Sequence, residues 1–233
     1  MAVRAARCYR TVSFEAACLL AGTPPWELEA VALGALYRLK GETRADGRWA
    51  ELVGPARRQA REDTFDRWAY DLAMPRAGVR TVEAIRPFLR EWVNRPSGAV
   101  SFRMAQMLSG HGCFGRFLHK VAGRETYPIC HHCGAPEDTA EHTLAECATW
   151  SRQRHDLVSV IGMDLSLPSV VAAMLGSQEA WRAVAFFCER VLLQKEAAER
   201  QREVRGDGRR GCARRRRGVG AGAMPNSVPL RRR

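Results

Sequence analysis

Three cysteines and one histidine sit close together in the stretch CHHCGAPEDTAEHTLAEC: Cys130, Cys133, His142 and Cys147. The pattern is Cys-x2-Cys, eight residues, His, four residues, Cys. Thiolate and imidazole are the donors that zinc takes in a closed tetrahedron. With all four positions filled by protein, none is left for water or substrate, so the chemistry expected is structural and not catalytic. His131 and His132 could each compete as a ligand, although their place in the turn between the two cysteines suits exposure. The contrary reading is three free thiols that are neighbours by chance. Against it, these eighteen residues hold three of the eight cysteines and three of the six histidines.

The elements that must position these ligands can be read from the same stretch. Gly134 follows the Cys-x2-Cys pair, where a left-handed residue closes a tight turn at little cost. Thr139 is placed to cap a short helix carrying His142. Five residues separate His142 from Cys147, a poor match to one face of an α-helix, so that helix is expected to end before Cys147. A tiny hairpin at the metal turn is the nearest thing to a strand pattern.

The chain has 233 residues, 46% of them hydrophobic, enough for one domain or two small ones. It has no run of about 18 apolar residues, so no membrane span is expected. The start, MAVRAARCYR, lacks an apolar signal core. The chain is therefore read as nuclear or cytoplasmic and not secreted, with its cysteines reduced. Cys8, Cys18, Cys113, Cys188 and Cys212 have no framework spacing and read as buried or incidental thiols. The net charge of +12 is concentrated: residues 200–233 carry twelve Arg against Glu203 and Asp207, a net +10, which leaves about +2 for the rest.

Periodicity predicts a mostly α protein. Its parts are a helical, thumb-like region over 1–125, the metal knuckle over 126–150, C-terminal helices over 151–204, and an Arg-rich disordered tail over 205–233. Helices are expected over Ser13–Leu20 and from a Thr23-Pro24-Pro25 start to a stop at Gly41, the latter burying Leu28, Val31, Ala32, Ala35, Leu36 and Leu39. Further helices run from Trp49 to about Leu72, from Thr81 to Val93 (disturbed by Pro87), from Ser101 to Leu108, and from Phe114 to Val121. The last three start at Trp150, at Leu167 and after a Ser177 cap. The final one carries a stripe of Trp181, Val184, Ala185, Cys188, Val191 and Leu192, suited to core or to a partner helix. Between Leu108 and Phe114 lies Ser109-Gly110-His111-Gly112, where the backbone can turn sharply or approach something closely. It lacks the Gly-Lys-Ser/Thr ending of a phosphate loop. His111 and His119 could touch nucleic acid, but such histidines more often satisfy local hydrogen bonds, and that is the expectation for both.

No Asp-Asp pair is present to hold two metal ions as in a polymerase palm, and no Gly-x-Ser-x-Gly or His-Glu-x-x-His occurs. Asp156 and Asp164 after the knuckle do not form a nuclease pattern. No catalytic residue is assigned.

RTVSFEAACLLAGTPPWELEA resembles the segment after the catalytic palm in reverse transcriptases of insect non-LTR retrotransposons. LSGHGCFGRFLHKVAGRE, followed by the knuckle, resembles the end of the same Pol polyproteins, notably the type-one ribosomal-DNA element and its relatives. There a Thr/Ser-Gly-His-Gly motif precedes a Cys-Cys-His-Cys knuckle. The resemblance covers residues 9–200 and implies zinc on Cys130, Cys133, His142 and Cys147. It also implies a parent polyprotein with endonuclease and RNA-directed DNA polymerase, copying element RNA at a nicked chromosomal target, of which this chain carries only the C-terminal portion. Expected partners are RNA or DNA and the rest of the polymerase. Contacts are expected from His131, His132, Arg124 and Arg152, from Trp150 as a stacking surface, and from Arg214, Arg215, Arg216 and Arg217 as phosphate attraction. The alternative is a stand-alone zinc-dependent protein-interaction module that uses the Trp181–Leu192 stripe.

Overall fold

The fold was taken from a computed structural model that describes residues 2–45 and 47–217, with side chains through Val204. Among these residues there are eleven α-helices and no strand. Met1–Lys195 form one compact unit and Glu196–Arg233 a second.

The chain opens with α1 (Ala2–Ala5) and α2 (Phe14–Ala21). Ser13 caps α2 through its side-chain oxygen, and Gly22 ends it in the left-handed conformation. The long helices α3 (Trp26–Thr43) and α4 (Trp49–Asp71) pack against one another. Two expectations for α3 fail. Pro25, not Thr23, stands at the cap position with no side-chain cap, and the helix passes through Gly41 to Thr43. Burial is also lighter than its periodicity suggested. Leu28, Ala32, Leu36 and Leu39 are half-buried, whereas Val31 and Ala35 are exposed. A helix with one neighbouring helix to cover it buries one narrow stripe.

After Gly78, α5 (Val79–Ile85), a 3-10 turn at Arg86–Phe88 and α6 (Leu89–Asn94) follow, the break falling at Pro87 as expected. Ser101 caps α7 (Phe102–Ser109), and Gly110 ends it left-handed. The short α8 (Gly115–Lys120) follows directly. A Cβ at Gly115 would lie 2.5 Å from the Ile129 carbonyl oxygen and 2.8 Å from that of Pro128. The absent side chain therefore lets the segment leading into Cys130 cross directly over α8. Beyond the knuckle come a 3-10 turn at Ala148–Trp150, α9 (Ser151–Ile161), α10 (Leu167–Gly176) and α11 (Gln178–Arg217). Ser177 caps α11, accepting from the Ala180 N–H at 3.0 Å.

Residues 205–217, read from sequence as tail, fall within α11, and 218–233 lie outside the described residues. The stripe on α11 is core: Trp181, Val184, Cys188, Val191 and Leu192 are buried, and Ala185 is partly so. A surface already covered by its own chain cannot receive a partner, so the protein-interaction alternative loses the face it relied on. The knuckle shares this core, since Cys130, Ala140, Leu144, Cys147 and Trp150 join the same apolar cluster as the helices before and after them.

One buried ion pair ties these pieces together. Lys195 follows the stripe at helical spacing and is 2% exposed. Its Nζ donates to both Asp138 oxygens at 2.8 Å. Asp138, in the loop between Cys133 and His142, also accepts from the Gly115 N–H at 2.9 Å and the Thr143 hydroxyl at 3.2 Å. Its own N–H donates to Pro128 O, and its carbonyl accepts from Arg116 N–H. Burial is tolerable here because all of the carboxylate's surroundings are donors.

Removing one partner strands a charge in the core. Asp138→Asn is expected to lower unfolding free energy by roughly 3–5 kcal/mol, read in urea unfolding. Lys195→Met in the Asp138→Asn background should recover much of that loss, because neither partner is then an unpaired charge.

Candidate metal centre

The knuckle begins where Cys130 enters the core. Cys130 N–H donates to Ala135 O and Gly134 N–H to Cys130 O, both at 2.8 Å, closing the Cys-x2-Cys turn. Gly134 has φ +79, as the turn required. Thr139 then caps the next helix, its hydroxyl accepting from the His142 N–H at 2.9 Å. From His142 to Glu146 that helix is wound as a π turn, and Cys147 N–H donates back to His142 O at 2.7 Å. The five-residue bond is what solves the spacing. The helix does end before Cys147, but the wider turn brings residue i+5 back to the side of residue i, and an α turn would not. Arg154 donates to Leu144 O at 2.8 Å and Cys147 O at 2.7 Å, two carbonyls at the end of this turn. Its role was not visible from sequence, because it depends on a turn type that the sequence does not announce.

The four side chains converge. Sγ of Cys130, Cys133 and Cys147 and a ring nitrogen of His142 all lie within 4.8 Å of one another, a grouping that could hold a metal ion. Cys130 and Cys147 sulfurs are 3.9 Å apart, and Cys133 Sγ is 3.2 Å from His142 Nε2. A zinc tetrahedron with bonds of about 2.0–2.3 Å has edges of roughly 3.5–3.8 Å, so the widest pair closes by up to about 1 Å when the four share an ion. The 3.9 Å separation rules out a disulfide between Cys130 and Cys147, and all of the cysteines with described side chains are free. Cys130, His142 and Cys147 are buried and Cys133 is exposed, so the centre is closed on the core side and open on one edge. His142 Nδ1 lies 3.3 Å from Glu146 Oε2, the arrangement that fixes the ring and leaves Nε2 free to bind.

The sulfurs differ before any ion arrives. Burial pushes the Cys130 thiol up to about 12. Partial desolvation also raises Cys133, but hydrogen bonds from the Ala135 backbone and from Cys130, Cys147 and His142 outweigh it and hold this thiol at about 7. Cys133 is thus the sulfur ready as thiolate near neutral pH, and a cation is what would charge Cys130.

Two curated relatives match most of the chain. The "Retrovirus-related Pol polyprotein from type-1 retrotransposable element R1 4" of Nasonia vitripennis is 30% identical over 207 residues, 80% of this chain and 50% of that protein. The "Putative 115 kDa protein in type-1 retrotransposable element R1DM" of Drosophila melanogaster is 29% identical over 200 residues, 81% of this chain and 19% of that protein. A third, the "Retrovirus-related Pol polyprotein from type-1 retrotransposable element R1" of Bradysia coprophila, is 34% identical over 62% of this chain and 15% of the relative. The chain is a relative of type-1 retrotransposon Pol polyproteins. It spans half the length of one of them and a fifth or less of the other two. No protein-family model and no solved structure matches it.

For this retrotransposon Pol relative, the other predicted site residues are scattered in their fates. His131 lies 3.4 Å from Glu125, and His132 packs against Trp150 with ring centroids 4.9 Å apart and planes tilted by 55°; neither belongs to the four-ligand cluster. Arg124 and Arg152 are exposed. Trp150 is 2% exposed and cannot stack on a base, since its faces are taken by the core and by His132. Arg214, Arg215, Arg216 and Arg217 lie in α11, but their side chains are outside the described residues. His119 bonds Glu125 O at 3.1 Å, a local contact, whereas His111 bonds the Thr11 hydroxyl at 3.0 Å, a partner 100 positions away in the chain. No helix among the described residues is long and apolar enough to cross a membrane.

Glu146→Gln should keep the fold and lower metal affinity about 10–100-fold, measured by competition with a chromophoric chelator. Proton competition sets the pH dependence. Cys133, depressed from 9.0 to about 7, is fully available above its unfolded value and lost as pH falls through 7. Metal affinity should therefore drop with acidification across that range.

Proposed function

We propose that this chain is a nucleic-acid-binding portion of a retrotransposon RNA-directed DNA polymerase, with a structural zinc ion ordering its knuckle. The reading is carried by the convergence of Cys130, Cys133, His142 and Cys147 on one point. Three sulfurs and one nitrogen at tetrahedral spacing, with no fifth position, suit zinc as a structural ion. The relatives' names supply the setting, a Pol polyprotein of a retrotransposable element.

The ion would hold the turn of His131 and His132 and the start of α9 as a rigid surface. His131, His132 and the exposed Arg124 and Arg152 are the groups there that can meet phosphate or base edges. Rigidity matters because ordering a loop on binding costs about 1–2 kcal/mol per residue. Arg200 and Arg202, with the arginines that follow, add phosphate attraction that does not depend on sequence. In the parent process, target-primed reverse transcription, such a region would grip element RNA or nicked DNA while another part of the polymerase does the chemistry.

Chain purified under reducing conditions should contain one zinc per molecule by metal analysis. Cys133→Ser should lose both the metal and oligonucleotide binding, and zinc-free wild-type protein would sink the reading. RNA affinity should fall with salt by about 0.7 in the log–log slope for each phosphate contacted on a single strand. Deleting residues 200–233 should flatten that slope, and an unchanged slope removes the arginine-rich segment from the interface.

A further inference from the structure

The Ser-Gly-His-Gly motif is not used by the metal centre, yet it lines a cleft of about 370 Å³ beside it. One wall is the glycine-rich turn with His111. A second is the exposed side of α8, where Arg116 and Lys120 stand one turn apart. The third is Thr139–Glu141, the first turn of the helix that carries His142. Arg80, from the start of α5, closes the inner end.

The charges in this cleft are poorly matched. Arg80 Nη1 donates to Met107 O at 2.7 Å and Leu108 O at 3.2 Å, and its Nε lies against Glu141. Its Nη2 is buried with no hydrogen-bond partner. A buried guanidinium N–H without an acceptor costs about 1–3 kcal/mol or more, so a shift of the side chain that turns Nη2 from its buried position toward a ligand oxygen in the cleft is favoured. Arg116 and Lys120 share one exposed carboxylate, Glu137, at 3.5 and 3.7 Å, contacts too long and too solvated to hold them. Three cations thus face a cleft in which Glu141 is the one lining anion. The His111 ring, half-buried, packs on Phe117 with centroids 5.0 Å apart and offers a flat aromatic edge to the same opening.

We propose that this cleft binds a phosphodiester group of single-stranded RNA or DNA on Arg80, Arg116 and Lys120, with the neighbouring base resting against His111. The proposal rests on the nucleic-acid reading above and gives it a location. It also assigns a use to the Ser-Gly-His-Gly turn: Gly110 lines the opening and presents no side chain to a ligand's backbone. The knuckle supplies one wall, so the ion acts on binding by holding Thr139–Glu141 in place, without any of its ligands touching the strand.

The test uses the full zinc-loaded chain with short fluorescent oligo-U and oligo-dT in an anisotropy titration over a salt series. The double variant Arg116→Gln/Lys120→Gln changes exposed positions only, and thermal unfolding confirms its fold. Losing this phosphate contact should make the log–log slope shallower by about 0.7 and weaken binding roughly fivefold near 0.1 M salt. A charge-matched control, Arg38→Gln/Lys40→Gln on the exposed side of α3, should leave slope and affinity close to wild type. Glu141→Gln removes the competing anion and should tighten binding, the opposite of what a purely structural role would give. Equal losses in the cleft and control pairs, or no loss in the cleft pair, overturn the site while wild-type binding keeps the nucleic-acid reading intact. Failure of the wild-type chain to bind either oligonucleotide overturns both. Equal loss on oligo-U and oligo-dT supports the phosphodiester as the recognised group.

Discussion

A single carboxylate holds the architecture in register. Asp138 stands midway between the two halves of the ligand set and reaches three separate parts of the fold: Lys195 on α11, the Gly115 N–H at the start of α8, and the Thr143 hydroxyl in the π turn. Each contact is charge-assisted or buried, and each fixes a different direction. The knuckle is therefore not a bead on a linker. Its orientation against the helical core is set by a group that never touches the ion. A metal could close the four-ligand cage in an isolated peptide, but the placement of that cage next to α8 and α11 comes from the ion pair.

The cost of such a pair explains why it sits where it does. Taking an ammonium and a carboxylate out of water costs several kcal/mol per ion, and their attraction repays this only when the remaining valences are satisfied. Asp138 meets that condition with backbone and hydroxyl donors. The Lys195 Nζ also lies 5.5 Å from the centroid of Phe114, whose ring adds a weak further attraction. Apolar packing alone would hold the same elements together less selectively, because a greasy stripe can slide by a turn whereas a two-oxygen grip on one nitrogen cannot.

Much of this was legible from residue types. The ligand set, the left-handed Gly134, the Thr139 cap and the bounds of α4 and α10 followed from spacing and turn chemistry, which are local properties. What was missed is non-local. Lys195 opens a charged stretch, and its partner lies 57 positions earlier, so no local pattern signals its burial. Trp150 looked available as an aromatic beside the knuckle, but whether an indole faces water depends on what packs over it. Val31 and Ala35 carried helical periodicity without a second neighbour to bury them. Arg80 carries no signal in the local pattern, and only the fold shows that it lines a cleft.

The wound-out turn between His142 and Cys147 turns chain length into a gauge. Cys147 reaches the cage because five residues are spread over a loop of helix broader than usual, with Arg154 clasping the carbonyls at its end. Shortening this interval by one residue would restore ordinary winding yet swing the sulfur out over solvent, and lengthening it would push the sulfur past its mark. Drift in sequence can therefore replace the exposed Ala145 far more freely than it can insert or delete beside it, and a frame-preserving gap at this point would dismantle the centre while leaving every ligand residue present.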